Sequence, residues 1–138
     1  MAEARPTATG PGRALIAVYA VFALAATARA GVQLATRFSE APVAYLLSAF
    51  SGVVYILATV GLARSGPGAR RLAWTAVLVE LVGVLVVGSL SVFDPVAFPR
   101  ATVWSGYGAG YGWVPLVLPV LGLLWLFRTG RRLGPADH

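Results

Sequence analysis

Four apolar runs, each bounded by arginine, proline or glycine, organise this chain. The clearest is residues 72–93, LAWTAVLVELVGVLVVGSLSVF, which follows Arg70-Arg71 and carries one ionisable side chain, Glu80. At about 1.5 Å per residue it is long enough to cross a hydrocarbon core of roughly 30 Å. Its small face runs through Ala73, Ala76, Glu80, Gly83, Val87 and Ser91. Residues 43–63 form a second run, without a charge. Tyr45, Ser48, Gly52, Tyr55 and Thr59 recur there at alternating spacings of three and four, a small and polar stripe suited to contact with other helices.

The first run, residues 14–38, starts without charge and ends with Arg29, Gln33 and Arg37 stacked on one face at i, i+4 and i+8. Tyr19, Phe22 and Ala26 extend that face back along the helix. The fourth run is expected over residues 109–128. Residues 114–127 alone are short for a crossing, so its start falls within the glycine-rich stretch, and Pro119 is expected to kink it.

Breakers separate the runs. Pro42 suits the first turn of the second helix, RSGPGARR at 64–71 forms a tight basic turn, and Asp94-Pro95 stops the third helix. Residues 1–13 read as a disordered cytoplasmic tail and residues 129–138 as a second, basic cytoplasmic tail. The first run also resembles a signal peptide, because arginines flank an apolar stretch followed by Ala28-Arg29-Ala30, an A-x-A cleavage pattern. Continuation of the helix through GVQLATRF, with three further spans behind it, makes a retained first helix the simpler account.

Composition agrees with a bilayer setting. Of the 138 residues 58% are hydrophobic and 12% charged, with mean hydropathy +0.78; a soluble domain of this size needs a more polar surface. The net charge of +6 comes from 11 Arg and no Lys, a bias that with abundant Ala points to a GC-rich bacterial coding sequence. These arginines flank apolar segments instead of forming a nucleic-acid patch. Arg5, Arg13, Arg64, Arg70, Arg71, Arg128, Arg131 and Arg132 fall on one side of the proposed spans, and Arg37 and Arg100 on the other. That excess places both termini in the cytoplasm. Absence of cysteine excludes disulfide, thiol-redox and iron–sulfur chemistry, and the single histidine is the last residue, His138.

Candidate chemistry is sparse. Arg29 and Glu80 are the ionisable groups within the spans, and such groups are costly unless neutralised, paired or hydrated. Measured from Arg13 and Arg71, their Cα atoms differ in depth by about 10 Å, so a direct pair needs tilt or a register shift and a water-bridged pair forms more easily. Otherwise Glu80 is expected to bond Ser48, Tyr55 or Thr59. These residues with Gln33 make up the candidate intramembrane set. The loop aromatics Trp104, Tyr107, Tyr111 and Trp113 are spaced like an interfacial belt, and SGYGAGYG at 105–112 reads as an external hairpin more readily than as a channel filter.

Four spans and a glutamate also suggest the small multidrug resistance exporters, but the essential glutamate of that family lies in the first span and Glu80 lies in the third. The block TVWSGYGAGYGWVPLVLPVLGLLWLFR at 102–128 resembles the C-terminal part of small four-span integral membrane proteins of actinobacteria. That resemblance implies a fold and a compartment, and supplies no activity or catalytic residues. The sequence thus leads to an all-α, integral membrane four-helix bundle in the plasma membrane, with no cofactor and no enzymatic role. Its expected partners are the lipid bilayer and either a second copy or another membrane protein, without nucleic acid. The expected function is that of an accessory or interaction subunit; the alternative is a homo-oligomeric transporter or proton-coupled carrier using Glu80 with Arg29.

Overall fold

Helix-breaking residues set the boundaries of every element. The computed structural model describes residues 7–37, 39, 42–94 and 104–131. Four helices account for most of them: α1 Pro11–Arg37, α2 Pro42–Ala63, α3 Pro67–Phe93 and α4 Val114–Arg131, with a 3-10 segment, Ser105–Tyr111, ahead of α4. Proline opens α1, α2 and α3, where its fixed φ suits the first turn and its missing N–H costs nothing. The α3 helix closes with the Asp94 N–H on the Leu90 carbonyl at 2.7 Å. Among the described residues three stretches are long and apolar enough to cross a membrane, Pro11–Thr36, Tyr45–Ala63 and Pro67–Phe93; the apolar stretch Val114–Gly130 is shorter.

The helices pack in chain order, α1 on α2, α2 on α3 and α3 on α4, while α1 and α4 touch only lightly. Short connections make the first three antiparallel neighbours. Antiparallel too is α4 against α3. Arg70, near the start of α3, donates to the Leu126 carbonyl at 2.6 Å and to Thr129 Oγ1 at 2.5 Å, near the end of α4. These two bonds tie the first turns of α3 to the last turns of α4. The core is built from small and aromatic side chains, among them Tyr19, Ala26, Tyr55, Ala58, Ala73 and Val77. The outer faces are apolar as well: Val53, Ile56 and Val60 on α2 and Val82, Leu85 and Val86 on α3 are exposed.

Four boundaries differ from expectation, one of them at the C-terminal tail expected from residue 129, where α4 instead runs to Arg131 and Thr129 is buried. The polar tail was expected to run to residue 13, yet Thr7 is buried and α1 begins at Pro11. Thr7 Oγ1 donates to the Leu62 carbonyl at the end of α2, and Trp125 Nε1 donates to the Thr7 carbonyl at 2.9 Å. These bonds hold residues 7–10 against the bundle. The third helix starts at Pro67, so Arg70 and Arg71 belong to its first turns. The fourth starts at Val114 instead of within the glycine run, because Gly112 and Trp113 both take left-handed backbone conformations (φ 65 each), which a right-handed α-helix cannot contain. Residues 1–6, 95–103 and 132–138, with Arg100 and His138 among them, lie outside the described residues, as do Glu40 and the side chain of Arg37.

Candidate functional site

Helical spacing carries Ala73, Ala76, Glu80, Val84 and Val87 to the inner face of α3, and Glu80 is fully buried there. Its partner is Tyr19 of α1, whose hydroxyl donates to Glu80 Oε1 at 2.5 Å; Oε2 has no hydrogen-bond partner. Ser48, Tyr55 and Thr59, the donors expected from the sequence, are engaged differently. Thr59 Oγ1 donates to the Tyr55 carbonyl of its own helix at 2.7 Å, and the Ser48 hydroxyl has no partner. The Tyr55 oxygen accepts from Trp104 Nε1 at 3.0 Å. Tyr55 joins the same cluster through its ring, 6.1 Å from Tyr19 and 6.3 Å from Trp104.

Trp104 is 1% exposed, which corrects its assignment to an interfacial belt. It enters the bundle over Gly83, where an added Cβ would sit 2.5 Å from the indole Cζ3. Tyr107 lies over Gly88 in the same manner, and its hydroxyl is 2.8 Å from Ser89 Oγ. The Gly106 N–H donates to Ser91 Oγ at 2.8 Å. Two glycines on α3 thus seat two aromatic rings of the loop. These anchors hold Tyr107, a residue with a side chain, at positive φ. Trp113 alone of the four loop aromatics is half exposed.

Arg29 occupies a second setting. Its Nη1 donates to the Tyr111 hydroxyl, and its guanidinium lies 5.9 Å from the centre of the Tyr111 ring. Phe22 bridges the two settings, 5.9 Å from Tyr111 and 5.6 Å from Tyr55. A pocket of about 100 Å³ opens beside Arg29, lined by Phe22, Ala26, Ser48, Ser51 and Tyr111 among others. Gln33 Oε1, one turn further along α1, is buried without a partner. Tyr19 and Arg29 stand ten residues apart on α1, about 15 Å along its axis. Glu80 and Arg29 therefore take separate partners at separate depths.

The structure thus gathers Glu80 and Tyr55 in one cluster, and Arg29 and Ser48 around one pocket. Sequence reasoning placed Tyr19 only as an extension of the arginine face and missed Trp104 and Tyr111 as inward groups. The periodicity of Tyr19 was a usable signal. Nothing in a glycine-rich loop announces that its aromatics turn inward. Among the described residues no three His, Cys, Asp or Glu side chains gather to hold a metal. Comparison with protein-family models, curated proteins and solved structures finds no match to this chain.

Proposed function

We propose that the chain is an integral membrane four-helix bundle of the plasma membrane, both termini cytoplasmic, serving as a non-enzymatic accessory or interaction subunit. The observation that carries this reading is the state of Glu80. A carboxyl group used for transport has to meet water at some point in its cycle. Glu80 is fully buried, bonded to Tyr19, and among the described residues lines neither the Arg29 pocket nor three apolar grooves seen between the helices. Its surroundings are aromatic and tightly packed, as suits a polar contact that fixes how α1 sits on α3. Exposed valine, leucine and isoleucine on α2 and α3 suit contact with lipid or a neighbouring membrane helix. The rival, a proton-coupled carrier, draws on the unpartnered Glu80 Oε2.

Purified protein in liposomes loaded with a pH-sensitive dye separates the two. The subunit reading expects no proton movement beyond that of protein-free liposomes, and recovery of a stoichiometric membrane-protein partner in mild detergent. Proton flux that disappears in Glu80→Gln would overturn it. Reporter fusions after Pro99 and at His138 check orientation: the first is expected outside and the second inside.

A further inference from the structure

The first and last helices of the bundle touch only lightly, and a groove runs between them. Leu15 and Leu118 form its buried floor, while Val18 of α1 and Val117, Leu121 and Leu124 of α4 stand exposed along its rims. Among the described residues its one charged side chain is Arg128, near the end of α4, exposed and bonded to no other described residue. We propose that this groove holds an acyl chain of an anionic phospholipid, with the Arg128 guanidinium at its headgroup. The inference rests on the membrane-spanning part of the reading above and is independent of the subunit role.

The order of polar and apolar groups along the groove selects the occupant. Trp125, also in the wall, gives its N–H to the Thr7 carbonyl, so it offers the groove its ring alone. A cation at one end followed by aliphatic walls matches a molecule with an anionic head and an apolar tail, and arginine pairs well with phosphate oxygens. Length agrees: Val117 and Arg128 stand eleven residues apart, about 16 Å along the helix axis. That is close to one leaflet of a hydrocarbon core of roughly 30 Å. A second protein helix fits less well. Helices in membranes associate through small residues and interhelical hydrogen bonds, whereas the α4 rim is valine and leucine.

The test is photolabelling of the full chain in phosphatidylcholine nanodiscs that carry a trace of lipid with a diazirine in one acyl chain. The labelling lipid is phosphatidylglycerol in one set and phosphatidylcholine in the other, and labelled positions are mapped by peptide mass spectrometry. Phosphatidylglycerol is expected to label Val18, Val117 and Leu121 roughly fivefold more than phosphatidylcholine does, the preference that one cation near the surface confers. The exposed Val53, Ile56, Val82 and Val86 of α2 and α3 are expected to label equally with both. Arg128→Gln is expected to remove the preference and Arg128→Lys to keep most of it; both variants should fold, which a detergent melt checks. Equal labelling of the groove by the two lipids, or a preference that persists in Arg128→Gln, would overturn the lipid site and leave the membrane reading intact. Labelling of α2 and α3 without the groove would assign the groove to a protein helix and overturn the proposal. Absence of label on α2 and α3 as well would overturn the membrane reading and the proposal together.

Discussion

Glu80 and Arg29 put the same problem to one bundle, and the bundle answers it twice. Each is an ionisable side chain on a helix long and apolar enough to cross a membrane. Glu80 is enclosed: Tyr19 reaches it, the Tyr55 ring packs beside Tyr19, and Trp104 closes the cluster. Arg29 is left at the edge of a pocket, with Tyr111 as one partner and an unpartnered hydroxyl nearby. One arrangement uses polar bonding to fix the packing of helices. The other leaves a pocket beside the arginine. A polar group inside an apolar bundle is therefore not by itself a sign of function; what matters is whether the protein has filled the space around it.

Removing the lid is the most drastic way to break the contrast. Trp104→Ala vacates a fully buried ring site over Gly83 and takes the donor away from Tyr55. A loss of about 3–5 kcal/mol is expected, read as a large fall in the detergent melting temperature. If Trp104 instead belonged to an interfacial belt, the fall would be small. Tyr19→Phe is gentler, since it keeps the ring and removes only the hydroxyl. Glu80 then has neither oxygen bonded, and about 1–3 kcal/mol should be lost. A neutral result would mean that the carboxyl group finds another donor, and that its enclosure is loose.

Much of this contrast was written in periodicity. The 3-4 spacing of Ala73, Ala76, Glu80, Gly83, Val87 and Ser91 marked the inner face of α3, and that of Tyr45, Ser48, Gly52, Tyr55 and Thr59 the inner face of α2; all are buried except Gly83, Ser91 and Thr59, which are half-buried. A helix repeats, so its buried side is legible without its neighbours. Which donor meets Glu80 was not legible, because the choice among Tyr19, Ser48, Tyr55 and Thr59 depends on the rotation of one helix against another. The loop was the least legible part. Trp104, Tyr107 and Tyr111 owe their inward positions to left-handed turns at Gly106 and Gly108 and to seats at Gly83 and Gly88. Those features relate residues far apart in sequence, and no local period records them.

The mildest changes are also the sharpest. Glu80→Gln keeps the oxygen that accepts from Tyr19 and should cost no more than about 1 kcal/mol. Combined with Arg29→Gln in a double-mutant cycle, it asks whether the two settings are separate. Sites without shared partners add within about 0.5 kcal/mol, and Glu80 and Arg29 take Tyr19 and Tyr111 respectively. Melting curves of the two single variants and the double variant are therefore expected to be additive within that margin. Had the groups formed a direct ion pair, either single change would leave a buried charge without its partner, at about 3–5 kcal/mol, and the double variant would be more stable than either. That pattern would merge the two settings into one, remove the ground for treating Glu80 as a packing contact, and favour the carrier over the subunit.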